Sequence, residues 1–339
     1  MNNETRKETQ VLPKDVRCVG ADDLTLSLFE NQYPVQPMGV SYNSYLILDE
    51  KIAVMDSVDA RAADEWLAKL AHELDGRSPD YLVISHMEPD HSGSILRLAE
   101  KYQEMKLVGN TKTFTMLRQF FGAKAPTDDR LLEVGEGETL PLGAHTLHFM
   151  LAPMVHWPEV MVAYEETEKL LFSADAFGRF GALSRTAGAP WAPQARRYYY
   201  NIVGKYGAQV QALLKKAAAL EIETICPLHG PVLTGEALGE ALRLYDLWSR
   251  WQSESPDDIL LAHASIHGNT ARAAELFKQK LEAKGARVTL CDLTTTEVSY
   301  AVANAFYCGK LVLACSTYDG GLFPPMEEFL SHLQAKGFR

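Results

Sequence analysis

Cysteine is sparse in this chain and never paired in sequence. Cys18, Cys226, Cys291, Cys308 and Cys315 are odd in number, scattered, and form no Cys-x-x-Cys. That excludes a disulfide framework and any thiolate site for an iron–sulfur or rubredoxin-type iron, and it suits a reducing cytoplasm. No apolar run reaches the ~18 residues of a membrane-spanning helix. The start, Met1-Asn2-Asn3-Glu4-Thr5-Arg6-Lys7, lacks the apolar core of a secretory signal. Positive charge is in deficit: 33 Lys and Arg against 44 Asp and Glu give a net charge of −11. This argues against nucleic acid or an anionic membrane as the main partner. No internal repeat or low-complexity tract is present. A cytoplasmic globular protein is expected.

What the chain does have is length and pattern. At 339 residues it exceeds one ordinary core, so two domains are expected. The first 17 or so residues are polar and expected to be loosely ordered. Residues 44–48 and 52–56 read as a hairpin, and Asp56-Ser57-Val58-Asp59 caps a helix running to about residue 74. Further strands are predicted at 81–84, 106–109, 146–151, 160–164, 170–172 and 224–226. Helices are predicted at 94–100, 111–121, 203–220 and 236–251, with a Gly/Pro/Ala-rich loop over 178–193. Mixed elements of this kind suggest an α/β sandwich, two packed sheets with helices outside. The polar segment 252–258, with Pro256, marks a boundary between domains 1–254 and 255–339. Beyond it, strands at 259–264, 287–291 and 311–315 alternate with helices at 270–283, 298–305 and 326–333, the pattern of a doubly wound parallel sheet.

The densest chemistry lies in Ser85-His86-Met87-Glu88-Pro89-Asp90-His91-Ser92-Gly93, between the strand at 81–84 and the helix at 94–100. His86, Glu88, Asp90 and His91 place four metal-ligand types on one strand-to-helix turn, too many for a simple polar cap. Three more candidates sit in loops at strand ends beside Gly or Pro. They are His156 in Val155-His156-Trp157-Pro158-Glu159, Asp175 after Phe172-Ser173-Ala174, and His229 in Pro227-Leu228-His229-Gly230-Pro231. The remaining histidines, His72, His145, His148, His263, His267 and His332, lack this setting and are assigned to surface or packing. Four imidazoles and three carboxylates suit two metals sharing one carboxylate. Mixed nitrogen and oxygen ligation favours redox-active iron over a zinc hydrolase, which favours histidine or cysteine; Glu88 is the discriminating residue.

These motifs, with Gln32-Tyr33-Pro34-Val35 and Ser41-Tyr42-Asn43-Ser44-Tyr45-Leu46, resemble those of the flavodiiron proteins from about Val19 to the end. The resemblance implies a metallo-β-lactamase-like αββα diiron domain followed by a flavodoxin-like domain. It implies that His86, Glu88 and His156 bind one iron, that Asp90, His91 and His229 bind the other, and that Asp175 bridges them. It also implies a diiron reductase of nitric oxide or dioxygen in anaerobic detoxification, a head-to-tail homodimer, and a separate rubredoxin-like electron donor.

FMN is the second implied cofactor. The loop Ser265-Ile266-His267-Gly268-Asn269-Thr270 opens a helix and offers hydroxyl and backbone N–H groups to a phosphate. The loop Ser316-Thr317-Tyr318-Asp319-Gly320-Gly321 follows the third apolar strand, at the switch point of a flavodoxin-like order. Only three strands of a five-stranded fold are present, so the sequence reads as C-terminally truncated, with residues 311–315 as an apolar sheet edge. Weak or absent FMN binding is expected on that basis. The run Tyr198-Tyr199-Tyr200 offers either packing or a hydroxyl near the metals, packing being ranked first. A zinc-dependent hydrolase on the same fold, or a fragment lacking full activity, is the alternative reading.

Overall fold

The computed structural model describes residues 12–338. Two six-stranded sheets come first. One runs in the order Val16–Cys18, Tyr45–Ile47, Ala53–Met55, Tyr81–Val83, Lys106–Gly109, Leu131–Glu133. The other runs Thr139–Pro141, Thr146–Leu151, Met161–Glu165, Leu170–Phe172, Thr224–Cys226, Leu233–Thr234. Strand alternation explains the layering, because successive side chains point to opposite faces. Tyr45 and Ile47, with Ala53 and Met55, face Leu147, Phe149, Met161, Ala163 and Phe172 across the inter-sheet core. Leu46 and Val54 point the other way, into a core shared with helices Ala63–Leu74 and Thr111–Phe121. In the helix Ala63–Leu74 the buried residues Ala63, Trp66, Leu70 and Leu74 fall on one face at helical spacing. Sheets buried on both faces and helices outside make the αββα arrangement anticipated from the sequence.

The third sheet is parallel, in the order Val288–Asp292, Ser255–Ala264, Cys308–Cys315. Its central strand begins at Ser255 with an irregularity before Ile259, so the polar segment expected as a linker is partly strand. Leu260, Ala262 and Ala264 join Tyr200, Trp248 and Phe306 in one continuous core. Tyr200 and Phe306 stack with centroids 3.9 Å apart. Arg197 adds a polar lock: its Nε donates to Ser299 Oγ at 2.7 Å and its Nη2 to Pro34 O at 2.8 Å, while Tyr300 and Phe180 lie 4.0 and 4.7 Å from the guanidinium.

Three differences from the sequence reading have physical causes. The loop expected over 178–193 ends early, in the helix Trp191–Tyr198. Pro193 is tolerated there because it lies in the first turn, where its missing N–H has no intrahelical partner anyway. The helix expected from residue 203 starts at Gly207, after a π-turn over Tyr199–Val203 and a 3-10 turn over Gly204–Tyr206. At the amino end the strand Val16–Cys18 is already ordered, with Val16 buried; the rest of the loosely ordered expectation, residues 1–11, lies outside the described residues.

Candidate metal centre

Each candidate ligand leaves the end of a strand, so the sandwich brings distant residues to one rim. Tyr81–Val83 ends in Ile84, Ser85 and His86, and a short helix, Pro89–Ser92, carries Asp90 and His91. The buried Asp56, at φ +57, accepts hydrogen bonds from Ser85 N (2.7 Å) and Ser85 Oγ (2.6 Å), fixing the exit of that strand. Glu159 Oε1 accepts from Met87 N at 2.8 Å and Ser92 Oγ donates to Met87 O at 2.8 Å, which hold the next turn. Across the rim, Asn43 Nδ2 donates to Pro227 O (2.8 Å) and Gly230 O (2.7 Å), and Asn43 N donates to Leu228 O. His229 is thereby pinned to the Ser41–Tyr45 segment.

All seven predicted residues come together. They form two groups, His86, Glu88, His156 and Asp175, and Asp90, His91 and His229, in which the potential ligand atoms lie within 4.8 Å of one another. Asp175 stands between them. Its Oδ2 is 2.9 Å from His156 Nε2 and 3.3 Å from His86 Nε2, while its Oδ1 is 3.7 Å from His229 Nε2. Asp90 Oδ2 lies 3.1 Å from His229 Nε2 and 3.6 Å from His91 Nε2.

The polar groups of this cluster suit a bound cation. His86 Nε2, both oxygens of Asp90 and Asp175 Oδ1 are buried without hydrogen-bond partners. Buried polar atoms are nearly always satisfied, and an orphan costs about 1–3 kcal/mol. His156 Nε2 is 2.9 Å from both Glu88 and Asp175 but carries at most one proton. His229 Nδ1 faces Ser41 O at 2.7 Å, a contact that fixes the tautomer and turns Nε2 inward as a ligand. Burial pushes His91 down to about 4 and so keeps it neutral, as ligation requires. Burial also opposes charge on His156, but its hydrogen bonds to Asp175 and Glu88 outweigh this and push it up to about 10. Burial raises Asp175, yet His86 and His156 hold it well below the usual carboxylate range. Oxygen and imidazole donors in this number suit a pair of divalent or trivalent transition ions.

The ODP family beta lactamase model matches residues 40–230, more than half of the chain and the stretch that contains all seven residues. The chain is 30% identical over 329 residues to the rubredoxin-oxygen oxidoreductase of Megalodesulfovibrio gigas, covering 95% of this chain and 80% of that protein. It superposes on the crystal structure of the flavodiiron protein from Giardia intestinalis with TM-score 0.89 at 28% identity, covering 96% of this chain and 80% of that one. The chain belongs to the flavodiiron protein family. A nitric oxide reductase of Moorella thermoacetica is 27% identical over 322 residues, 93% of this chain and 79% of its own length.

Flavodiiron relatives use a diiron site and FMN. The residues expected to contact FMN, Ser265, His267, Gly268, Asn269, Thr270, Ser316, Thr317, Tyr318, Asp319 and Gly320, lie in two neighbouring loops of this flavodiiron chain. Thr270 Oγ1 and Ser316 Oγ are 3.0 Å apart, and Ser316 N donates to Ala264 O at 3.0 Å. Gly268, at φ +84, has open space where a Cβ would be, and Ser265 Oγ accepts from its N–H at 3.1 Å. The helix that follows, Asn269–Glu282, has no side-chain cap, so its first N–H groups are free for a phosphate. Ile266, His267, Asn269 and Thr317–Tyr318 are exposed, and the strand Cys308–Cys315 is the sheet edge anticipated, with Leu313 44% exposed.

Two further residues lie near the ligand cluster, one from the tyrosine run and one not singled out from sequence. Tyr198 is fully buried, its ring centroid is 5.5 Å from that of His229, and its hydroxyl has no hydrogen-bond partner. Packing, ranked first for this run, holds for all three rings: Tyr198 lies against Phe180 and His229, and Tyr199 and Tyr200 pack against Trp248. Glu30, on a surface turn, lines the cleft that opens onto His156, and nothing in its local sequence announces this.

Proposed function

We propose that this flavodiiron oxidoreductase reduces nitric oxide, dioxygen or both: 2 NO + 2 e⁻ + 2 H⁺ → N2O + H2O, and O2 + 4 e⁻ + 4 H⁺ → 2 H2O. FMN and a rubredoxin-like donor are the proposed electron source, in a head-to-tail dimer. A bound iron pair supplies redox equivalents and open coordination positions. The observation that carries the reading is Asp175, whose two carboxylate oxygens face separate ligand groups. The chain's own residues have three tasks. Glu88, Asp90 and Asp175 offset the charge of two cations in a largely buried site. His91 and His229 are oriented by backbone carbonyls so that Nε2 points inward. The Tyr198 hydroxyl, unpartnered and buried, is free to donate to a reacting oxygen or nitrogen.

The test is iron content by elemental analysis, with NO and O2 consumption driven by an artificial reductant. About two irons per chain and turnover of either gas is the expected result. Asp175→Asn should lose iron and at least about 100-fold in turnover, since even residues that merely orient ligands cost 10–100-fold. Zinc that persists after anaerobic iron supplementation, with no gas consumed, would replace this reading by the hydrolase.

A further inference from the structure

His86 and Glu88 stand on one turn and His156 on another loop, and one side chain outside the seven ligands joins the two. Glu159, 2% exposed, follows His156 in the same loop, and its Oε1 accepts from the N–H of Met87, the residue between His86 and Glu88, at 2.8 Å. Met161 N donates to Ser85 O at 2.9 Å, so the loop is docked on the ligand turn at two points. The far side of Glu159 is anchored as well. Asn110 Nδ2 donates to Glu159 O at 2.6 Å, while Asn110 Oδ1 caps the helix Thr111–Phe121 by accepting from Lys112 N (3.0 Å) and Thr113 N (3.1 Å). Glu159 Oε2 is buried without a hydrogen-bond partner. A buried carboxylate with an orphan oxygen is destabilising in itself, and such breaches of local rules concentrate where a site requires them. The Asp90–His91–His229 group is held from elsewhere: Ser57 Oγ donates to His91 O, and Ser41 O faces His229 Nδ1.

We propose that Glu159 is the positioning residue of the His86–Glu88–His156 group, setting the separation of its two loops and thereby the affinity of one metal position independently of the other. This rests on the diiron reading above. His86 and Glu88 flank Met87, so a shift of the Met87 N–H carries both. His156 follows Glu159 through a tight loop in which Trp157 O accepts from Met154 N at 2.8 Å. Groups that orient ligands without binding metal are worth 10–100-fold in affinity. What the geometry uses is an acceptor oxygen at the end of a three-carbon side chain, so an amide oxygen serves as well as a carboxylate, and a methyl group does not.

The experiment uses the full chain reconstituted with ferrous iron, as wild type, Glu159→Gln, Glu159→Ala and Asn110→Asp. The last keeps the helix cap but removes the donor to Glu159 O, so it tests the same link should Glu159→Ala fail to fold. Iron per chain is measured against a competing chelator, and the oxidised proteins are then examined by electron paramagnetic resonance. Glu159→Ala and Asn110→Asp should weaken one position at least about tenfold and leave the other, so that about one iron remains and the signal of an isolated ferric ion replaces that of a coupled pair. Glu159→Gln should hold both irons as wild type does. Two irons held equally by all four proteins, loss of both irons together, or a Glu159→Gln as weak as Glu159→Ala would overturn the positioning role and leave the diiron reading standing. A wild type that takes up no iron would overturn both.

Discussion

His91 and His229 face each other with their Nε2 atoms 3.2 Å apart, while each Nδ1 lies against a backbone carbonyl, that of Ser57 at 3.2 Å and that of Ser41 at 2.7 Å. A carbonyl accepts only from an N–H, so in the neutral rings both Nε2 atoms present lone pairs to one another. A cation between them turns repulsion into two bonds. Metal removal by an anaerobic chelator is therefore expected to lower the thermal midpoint. Ferrous iron at about a hundredfold excess over its dissociation constant should restore ~2.7 kcal/mol. Unchanged melting with and without chelator would contradict this.

The same cluster sets a pH dependence. In the metal-free protein His156 is held up at about 10, above the ~6.5 of an unfolded histidine. That contributes stability which is full below the unfolded value and is lost as pH rises through about 10. Metal must displace this proton, so apparent affinity should rise by at least about tenfold per pH unit between roughly pH 6 and 8. Calorimetry in buffers of different ionisation enthalpy would count the protons released. Affinity flat across this range would mean that His156 is not a ligand.

Tyr198→Phe removes a buried hydroxyl that has no partner. Deleting an unsatisfied group costs little, so folding stability should change by no more than about 1 kcal/mol. Turnover with NO or O2 should fall by ~10-fold or more if the hydroxyl assists proton transfer. Tyr199→Phe is the control: its ring packs on Tyr245 and Trp248, and turnover should be unaffected.

Arg197 joins the third sheet to the sandwich through Ser299, Tyr300 and Pro34, with Glu297 3.5 Å from its Nη2. Arg197→Ala strands these partners and should destabilise the protein by about 2–4 kcal/mol in a denaturant titration. Arg197→Lys should recover less than half, because an ammonium lacks the planar fork that reaches three acceptors at once.

Much of this was legible in the sequence. The His86–His91 turn stands out because four ligand types within six residues exceed what a cap needs, and His156, Asp175 and His229 share its strand-end setting. The bridging position of Asp175 is not a matter of spacing, and came only with the family resemblance; the sandwich supplies the distances. Glu30 was invisible, since Phe29-Glu30-Asn31-Gln32 reads as any solvated turn and the cleft it shares with His156 is made only by the fold. The helix Trp191–Tyr198 was hidden by Pro190, Pro193 and their small neighbours, and the π-turn at Tyr199–Val203 has no periodicity to betray it.

The contacts of Asn43 carry a mechanical meaning. Asn43 leads into the strand Tyr45–Ile47 of the first sheet, and its side chain grips Pro227 and Gly230, which follow the strand Thr224–Cys226 of the second. Gly230 N donates to Ser41 Oγ and Tyr45 Oη to Pro227 O, so the weld is made at several points. His229 sits inside that weld. The two sheets cannot shear past one another without dragging a histidine from the centre, and any force that loosens the sandwich is felt first as a change in ligand geometry.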